Sequence, residues 1–499
     1  MSLLGIDVGT TGCKSAVFSA EGRCLAIAYR EYPTVYPKTG WAELDSRFIL
    51  EQVWQTVAEV AAQMQNDPVS ALSISTMGEA MTPVSGDGKI LGNCILMSDN
   101  RGAKYSDQLA EQIGQQPFYE INPNILGPSY SLPKLLWLRD NEPQLYQRAE
   151  KFLLWGDLVA FALGCEPLTS YSLANRTLLF DVRKEDWSER LLKLTGIERS
   201  KLAKPVPSGT LAGTISSKMA ERLKLPKGVS VVVGGHDQCC NSLGAGIYQP
   251  GKAVCGIGSY ECITPTYNHI PDAATMLANG LNVEHQVLAG LYVSFLYNQA
   301  GLLVKWFRDT FASNDKKLIS PDTDIYNILT AEMPAHPTRL LVLPYFEVTG
   351  PPGFVADASG AMVGLKTSTT RGEILKSIME SETFYFLESI QALKTMGIDS
   401  SEFIATGGGA KSDAWLQLKA DILGLPFVRP RNTECSVAGA VMLAGLATGI
   451  YKNPAEAVGC FVQKDKVFEP DLNRHKVYKE RYELYRQLYP RLSDLLPKL

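Results

Sequence analysis

One local pattern occurs twice in the chain, and it limits the folds that the chain can adopt. Near the N-terminus, two apolar runs within 3–18 flank a turn rich in glycine and threonine, and Asp7 ends the first run. Residues 251–263 repeat the pattern with a turn of glycine and serine. Such patterns predict β-hairpins. Because α/β elements follow each hairpin, we predict a duplicated α/β architecture with two halves around a cleft.

The segments after each hairpin agree with this prediction. A third strand at 24–28, a helix over 47–64 and a strand at 69–75 give the first half the order β-β-β-α-β. An apolar strand at 229–233 and a short strand at 403–406 each lead into glycines and a helix. Strands that alternate with helices are typical of sheets with parallel strands.

The length of the chain also agrees with two units. A chain of 499 residues allows about two or three domains. No low-complexity linker separates the halves, so we expect them to pack closely. We place the boundary near residues 240–252, which gives domains at 1–245 and 246–499.

Charge and composition exclude several classes of protein. With 48 Lys+Arg and 52 Asp+Glu, the net charge is −4, and the basic surface of a nucleic-acid binder is not expected. No window reaches the roughly 18 apolar residues of a membrane span, and the N-terminus has no basic signal region. The ten cysteines form no CxxC pair and the five histidines do not cluster. We expect a cytoplasmic protein with free thiols and no zinc site.

The turn after the first strand combines a carboxylate with an open backbone. Asp7 is followed by the sequence VGTT, and its glycine lets backbone N–H groups approach phosphate oxygens beside the Thr10 and Thr11 hydroxyls. Asp7 is suited to Mg²⁺, because hard cations prefer oxygen ligands. Lys14 is placed to neutralise phosphate charge. The alternative is a plain hairpin turn with a capping aspartate and a solvated lysine.

Two glycine-rich turns in the second half suit the same ligand. The sequence GIGS at 256–259 mirrors the first turn, and two opposed turns can hold one polyphosphate. The sequence GGGAKS at 407–412 lies between a strand and a helix, where three glycines cost backbone entropy unless a phosphate or a flat base needs the space. Its spacing is not that of a P-loop. A simple tight turn is the alternative.

Acidic residues also follow other strands of the predicted sheet. Asp237, in GGHDQ, ends the apolar strand at 229–233, where an acid is well placed for catalysis in an open α/β sheet. Phosphoryl transfer needs a base near the attacking hydroxyl. An aspartate that caps the next helix is the alternative. Glu79, Asp99 and Arg101 follow two candidate strands, and they either bind the hydroxyls of a polyol or pair as surface ions.

Taken in order, these motifs resemble the FGGY family of carbohydrate kinases over nearly the whole chain. They are DVGTTGCKSAVF at 7–18, GWAEL at 40–44, DNRG at 99–102, SLPKLLWLRDNEP at 131–143, NRTLLFDV at 175–182, GGHDQCCNSLGAG at 234–246, GIGS at 256–259, ATGGGAKSDAWLQLKADILGLP at 405–426 and ECSVAGAVMLAGLATG at 434–449. The resemblance implies two actin-like domains of the ribonuclease H type with ATP and Mg²⁺ between them. It also implies transfer of the γ-phosphoryl group to a sugar or polyol hydroxyl.

The resemblance assigns roles to individual residues. It implies that Asp237 is the catalytic base and that Asp7 organises the metal. The nucleotide-binding residues that it implies are Thr10, Thr11 and Lys14 beside the phosphates, Gly258 and Ser259 in the second phosphate turn, and Gly408, Gly409, Ala410 and Lys411 beside the adenine.

The substrate-binding residues implied by the resemblance are Gly78, Glu79, Asp99, Arg101 and Asp237. Xylulose kinases usually have Met-His where this chain has Gly78-Glu79. Glu79 resembles the Arg-Glu pair of glycerol kinases, although the Arg is absent. The substrate therefore stays open between a pentulose such as xylulose and a short polyol. The alternative to a direct contact is that Glu79 pairs with Arg101 and only orders the pocket wall.

A kinase that acts on a small sugar or polyol is the function that we expect. The alternatives are an actin-fold nucleotide-binding regulatory protein and a catalytically lapsed paralogue that still binds sugar. Asp237 favours the kinase, because a nucleotide sensor needs no base that faces an alcohol. We expect no nucleic-acid or membrane partner, and the sequence leaves open whether the chain forms a homodimer.

Overall fold

The computed structural model describes residues 1–320, 323–356 and 358–498. Within these residues, no helix combines the length and the apolar character that crossing a membrane requires.

The elements of the first half are numbered in chain order. The strands are β1 (Ser2–Val8), β2 (Gly12–Ser19), β3 (Cys24–Glu31), β4 (Glu43–Leu44), β5 (Val69–Thr76), β6 (Thr82–Val84), β7 (Cys94–Ile95), β8 (Lys151–Leu153), β9 (Leu168–Ser170), β10 (Phe180–Asp181), β11 (Asp186–Trp187), β12 (Lys204–Val206), β13 (Leu211–Thr214) and β14 (Ser230–His236). The helices are α1 (Ser46–Ala61), α2 (Ala103–Ile113), α3 (Gln115–Tyr119), α4 (Ser131–Asn141), α5 (Pro143–Arg148), α6 (Trp155–Ala162), α7 (Tyr171–Asn175), α8 (Glu189–Thr195), α9 (Ser217–Leu223) and α10 (Asp237–Gly244).

The numbering continues through the second half. The strands are β15 (Lys252–Ile257), β16 (Tyr260–Tyr267), β17 (Glu284–His285), β18 (Tyr292–Val293), β19 (Leu296–Gln299), β20 (Leu341–Leu343), β21 (Ala361–Val363), β22 (Phe403–Thr406), β23 (Phe427–Pro430) and β24 (Lys464–Phe468). The helices are α11 (Ala273–Ala278), α12 (Gly301–Phe311), α13 (Ser313–Leu318), α14 (Ile325–Ala331), α15 (Arg371–Thr395), α16 (Asp413–Leu423), α17 (Cys435–Ala447), α18 (Pro454–Phe461), α19 (Leu472–Tyr485) and α20 (Leu488–Leu492). Short 3₁₀ turns occur at Arg199–Lys201, Gly408–Lys411 and Leu496–Lys498.

The main sheet of the first half has three parallel strands that end at the same edge. Its strand order is β13-β14-β5-β1-β2-β3, in which β1, β5 and β14 are parallel and the other pairs are antiparallel. Strands β1 and β5 are buried on both faces, as expected for strands covered by helices. In register, Asp7 lies opposite Ser75, and Thr76 lies opposite His236. The residues that follow these strands therefore share one edge of the sheet.

The main sheet of the second half repeats this arrangement. Its order is β17-β18-β16-β15-β22-β23-β24, and β19 also pairs with β16. Strands β15, β22 and β23 are parallel, and Gly256 lies opposite Thr406. The turn after β15 and the turn after β22 are therefore neighbours.

The structure confirms the duplicated α/β architecture, with hairpins β1–β2 and β15–β16 in the two sheets. The strand predicted at 229–233 is longer, because β14 continues through Gly234 and Gly235 to His236. A Cβ atom at Gly234 would lie 1.9 Å from the carbonyl oxygen of Ile74, so glycine is required there by close packing on β5 rather than by a turn. The main sheets lie on either side of residues 240–252, and the domain boundary at 245/246 stays a prediction.

Helices α10 and α17 cross very closely between the two halves. A Cβ atom at Gly439 would lie 2.0 Å from the carbonyl oxygen of Cys240, and one at Gly244 would lie 1.8 Å from that of Cys435. The cluster around the crossing is apolar and joins the first sheet to both helices through side chains such as Phe18 and Val441. Helix α17 also packs on β1, β5 and β14, so a second-half helix covers the first-half sheet.

We predict that Gly439→Ala destabilises the protein. The added methyl group would overlap the backbone of α10, and overpacking of this kind costs about 1–3 kcal/mol. Thermal unfolding followed by circular dichroism should show a Tm lower by several degrees. The matched control is Gly459→Ala in α18, which has open space at its Cβ position and should be neutral or slightly stabilising. Equal Tm values for the two variants would contradict the close crossing.

Candidate functional site

Asp7 lies at the end of β1 and is partly buried. The Ser75 hydroxyl of β5 donates a hydrogen bond to Asp7 Oδ1 at 2.7 Å. Burial raises the pKa of Asp7 to about 6, and the hydrogen bond from Ser75 and the charge of Lys14 oppose this shift. A carboxylate held in this way by one oxygen keeps the other available for a ligand.

The turn between β1 and β2 is closed by the backbone and open at its tip. The Gly9 N–H donates to the carbonyl oxygen of Gly12 at 3.0 Å, and the Tyr32 hydroxyl donates to the carbonyl oxygen of Gly9 at 2.6 Å. Thr10 and Thr11 at the tip are exposed. Their hydroxyls and backbone are therefore presented outward beside Asp7, as a phosphate-binding turn requires.

Lys14 is less free than the sequence-based interpretation assumed. Its ammonium group pairs with Glu434, the residue that immediately precedes α17, and lies 5.7 Å from the centroid of the Tyr29 ring. A Lys14 that binds phosphate must share its charge with Glu434. The pair also joins the hairpin of the first half to a helix of the second half.

The turn between β15 and β16 exposes the two residues predicted to contact phosphate. Gly258 and Ser259 are both exposed. The Gly258 N–H donates to the carbonyl oxygen of Tyr260 at 2.9 Å, which tightens the turn. The carbonyl oxygens of Gly258 and Ser259 accept bonds from Gly301 and Leu302 at the start of α12, both at 3.0 Å. The backbone of this turn is thus fixed while its outer surface stays open.

Glycine occupies the three positions after β22 for different structural reasons. Gly407 has φ of +82°, and its Cβ would lie 2.7 Å from the carbonyl oxygen of Ile257. A Cβ at Gly409 would lie 2.3 Å from Ile257 Cγ2, and Ala410 is buried in the core of the second half. Gly408 is exposed and has open space at its Cβ position. Lys411 is also exposed, although it follows the buried Ala410. Of these three glycines, Gly408 is the one that the protein's own packing does not explain.

Asn241 of α10 lies beside the ends of β15 and β22, the strands that lead into the two turns of the second half. Its side-chain Nδ2 donates to Thr406 Oγ1 at 3.2 Å, and a Cβ at Gly256 would lie 3.9 Å from the same nitrogen. Asn241 follows Asp237 by one helical turn, so the two side chains share a face of α10. No feature of the sequence alone had indicated a role for Asn241.

Asp237 is the first residue of α10 and follows β14 directly. The residue in the N-cap position is His236, so Asp237 is not the cap that the alternative interpretation supposed. The Asp237 side chain is 28% exposed. Burial, followed by the nearby charge of Asp7, raises the pKa of Asp237 to about 7, although Arg176 and Gln238 lower it. A carboxyl group with this pKa can exchange a proton near neutral pH.

His236 packs rather than reacts. Its ring lies 5.2 Å from that of Phe295 in an edge-to-face arrangement, and its backbone N–H donates to Ser172 Oγ at 3.1 Å. Burial lowers the pKa of His236 well below its ordinary value, so the ring is neutral. Its Nε2 lies 3.4 Å from Asp237 Oδ1, so the neutral ring borders the Asp237 carboxyl group.

Glu79 pairs with Arg176, a residue that the sequence-based interpretation did not single out. Nη2 of Arg176 bonds to Glu79 Oε1, and Nη1 bonds to Glu284 Oε1 at 2.7 Å. The side chains of Glu79, Arg176 and Glu284 are only 5%, 11% and 0% exposed. The alternative in which Glu79 pairs with Arg101 is therefore wrong. A Cβ at Gly78 would lie 3.1 Å from Arg176 Cγ, so Gly78 leaves room for this arginine.

Asp99 and Arg101 form a separate cluster. Arg101 bonds to both carboxylate oxygens of Asp99 and to Glu43 Oε1 at 2.6 Å, and its guanidinium lies 3.8 Å from the centroid of the Trp41 ring. Asp99 Oδ2 also accepts the backbone N–H of Ala42 at 2.7 Å. Both side chains are buried and satisfied by the GWAEL segment. The structure does not bring them to Glu79, and their role toward substrate stays a prediction.

Sequence reasoning could not have found Arg176 and Glu284. Arg176 lies within the NRTLLFDV motif, but it is 97 positions from Glu79 and 108 from Glu284. No local spacing links these residues, and Glu284 belongs to a segment without a motif. Only the packing of α7 against β17 brings them together.

The residues present fit a magnesium nucleotide. Asp7 supplies a carboxylate oxygen, which is the ligand type that Mg²⁺ prefers. The tip of the first turn, with Thr10 and Thr11, and the tip of the second, with Gly258, are exposed polar backbone. The open space at Gly408 leaves room for a flat group against the chain.

Comparisons with known proteins agree with this geometry. The model of the FGGY family of carbohydrate kinases, N-terminal domain, matches residues 2–244, and that of the C-terminal domain matches 275–448. A xylulose kinase from Bacillus subtilis (strain 168) is 27% identical over 497 residues, which cover 99% of this chain and 97% of that protein. A glycerol kinase from Janthinobacterium sp. (strain Marseille) is 28% identical over 494 residues, which cover 94% and 95%.

A solved structure extends the comparison to the fold. The crystal structure of gluconate kinase from Lactobacillus acidophilus has a TM-score of 0.88 at 23% identity, and the match covers 100% of this chain and 99% of that one. The match supports the two-domain actin-like fold that the sequence predicts. Because the two family models together span most of the chain, the protein is an enzyme of the FGGY family of carbohydrate kinases, which uses ATP with Mg²⁺ to phosphorylate a small sugar or polyol.

Proposed function

We propose that the protein phosphorylates a pentulose such as xylulose or a short polyol, with Asp237 as the general base. The observation that carries this proposal is the position of Asp237 at the end of β14, on the same sheet edge as Asp7. Its pKa of about 7 suits a group that must accept a proton at neutral pH. The similarity to xylulose and glycerol kinases supports the two substrate classes.

The proposed reaction is an in-line phosphoryl transfer. Asp237 accepts the proton of a substrate hydroxyl while that oxygen forms a bond to the γ-phosphorus of ATP. The bond between the γ-phosphorus and the bridging oxygen breaks, and ADP leaves with its electron pair. Most of the catalysis comes from positioning and charge stabilisation, so one base and fixed turns are sufficient.

The remaining residues hold the nucleotide in this proposal. Asp7 would hold Mg²⁺, directly or through water, and the bound ion would supply positive charge to the phosphate oxygens. Thr10, Thr11 and Lys14 contact the phosphates from the first half. Gly258 and Ser259 contact them from the second half. The backbone at Gly408 to Lys411 lies beside the adenine, with Gly408 as the point of closest approach.

We predict that Asp237→Asn lowers kcat by about 10²-fold or more and leaves ATP binding nearly unchanged. The substrate is first identified by ADP release over a panel of ketopentoses, ketohexoses, aldonates and short polyols. The matched control is Asp157→Asn in α6, a buried carboxyl outside the site whose pKa is raised to about 8 by burial. Near-full turnover of Asp237→Asn would remove Asp237 from the mechanism.

We also predict a pH dependence that belongs to Asp237. Its raised pKa means that the protonated form predominates below about pH 7 and cannot accept a proton. Accordingly, kcat/KM should rise with pH to a plateau above pH 7 and fall about tenfold per pH unit on the acid side. The residual rate of Asp237→Asn should lack this acid limb. A wild-type profile that is flat between pH 5.5 and 8 would disprove the assignment.

Gly408→Ala tests the nucleotide side of the proposal. The position has no positive φ and open space for a Cβ, so the variant should keep the wild-type Tm. A nucleotide that lies against this backbone meets the new methyl group, and KM for ATP should rise about fivefold or more, the effect of roughly 1 kcal/mol of overpacking. KM for the sugar should change much less. An unchanged KM for ATP would place the nucleotide elsewhere.

A further inference from the structure

The substrate side of the site has more acidic groups than basic ones. Glu79, Glu284 and Asp237 contribute three carboxyl groups, whereas Arg176 contributes one guanidinium. His236 adds no positive charge, because burial keeps its ring neutral. The Phe295 ring links Arg176 to Asp237, because its centroid lies 5.7 Å from the Arg176 guanidinium carbon and 5.2 Å from the His236 ring, and His236 Nε2 lies 3.4 Å from Asp237 Oδ1. These groups therefore act on the same small volume.

Arg176 uses both of its terminal nitrogens on the protein's own acids, and within the described residues only its Nε has no partner. Its two terminal nitrogens bond to Glu79 and Glu284, which leaves no free fork for a carboxylate of a ligand. The guanidinium carbon lies 4.9 Å from the centroid of the Tyr130 ring and 5.7 Å from that of Phe295. These two rings fix the guanidinium, so it is not expected to turn toward a new partner.

Among the residues that the structure describes, most of the unused hydrogen-bonding capacity of the cluster lies on the acids, which have two unbonded carboxylate oxygens against the single Nε of Arg176. Within the described residues, Glu79 Oε2 makes no hydrogen bond, and buried Glu284 Oε2 also has no partner. Carboxylate oxygens are acceptors, and a hydroxyl that donates to one forms a charge-assisted bond. The cluster can therefore accept hydrogen bonds from the hydroxyl groups of a ligand, whereas its carboxylates repel an anionic ligand.

We infer that the Glu79–Arg176–Glu284 cluster selects neutral polyhydroxy substrates and rejects compounds that carry a carboxylate, such as aldonates. This inference rests on the proposed function and adds to it the residues that exclude anionic analogues of its neutral substrates. Glu79 is the contact residue, because it follows β5 at the sheet edge that carries Asp237. Arg176 and Glu284 are positioning residues that hold Glu79 in place.

Pairs of compounds that differ in one terminal group test the selection directly. ADP release is measured with xylitol and xylonate, ribitol and ribonate, glucitol and gluconate, and glycerol and glycerate, together with D-xylulose. A carboxylate among like charges is strongly disfavoured at short range. We predict that kcat/KM for the best neutral compound exceeds that for its aldonate by about 100-fold or more in the wild-type enzyme.

Variants separate the charge of the cluster from its packing. Glu79→Gln keeps the size of the side chain and removes one negative charge, so the ratio of neutral to anionic kcat/KM should fall tenfold or more. The loss for the neutral compound should appear in KM. Glu284→Gln should also lower the ratio of neutral to anionic kcat/KM. It replaces Glu79→Gln in the test if that variant does not fold. Glu43→Gln is the control, because it removes a carboxylate from the Arg101 pair and should leave the ratio unchanged.

The outcomes distinguish this inference from the proposed function. ADP release with no compound of the panel would overturn the proposed function, and the inference with it. Efficient phosphorylation of an aldonate would keep the kinase and overturn the charge selection. A selective wild-type enzyme whose ratio is the same in Glu79→Gln, Glu284→Gln and Glu43→Gln would show that another feature of the pocket makes the choice.

Discussion

The close crossing of α10 and α17 is the contact on which the rest of the site depends. Two glycines, Gly244 and Gly439, let the helix backbones approach to a distance that no side chain would permit. Helix α10 begins at Asp237, and Glu434, which immediately precedes α17, holds Lys14. The crossing therefore fixes the predicted base relative to the first phosphate turn and joins elements from both halves. A shift at this crossing would move both sides of the site together.

The first sheet explains why distant acids lie at one edge. Parallel strands β1, β5 and β14 are neighbours, and each leads at its carboxyl end into a polar residue of the site. Asp7 ends β1, Glu79 follows β5 and Asp237 follows β14. In open α/β sheets, ligands bind outside these strand ends. The positions of three acids separated by more than 200 residues thus follow from one feature of topology.

The sequence predicts this part of the site because strand ends are local signals. An apolar run that stops at an acid identifies Asp7 and Asp237 without any knowledge of their surroundings. Local signals are less informative at Gly234-Gly235, because a pair of glycines in a sequence indicates a turn. In the structure β14 continues through both glycines, and Gly234 packs against the backbone of Ile74. The sequence could not identify Arg176 as the partner of Glu79, because only tertiary packing brings the two residues together.

The two buried arginine clusters of the first half differ in how completely their polar atoms are hydrogen-bonded. Arg101 lies between Asp99 and Glu43 and against Trp41, and the Asp99 oxygens are used by Arg101 and the backbone. Arg176 also bonds to two carboxylates, yet within the described residues its Nε and one oxygen of Glu284 have no partner.

A buried polar atom without a hydrogen bond costs about 1–3 kcal/mol, so a cluster that serves only the fold is expected to satisfy its members. The Arg101 cluster meets this expectation and the Arg176 cluster does not. The unsatisfied cluster is also the one next to Asp237, whose pKa Arg176 lowers. Polar capacity left open beside the carboxyl group that we propose as the base is what a site for a hydroxyl-rich ligand requires, because the ligand completes the hydrogen bonds that the protein leaves unmade.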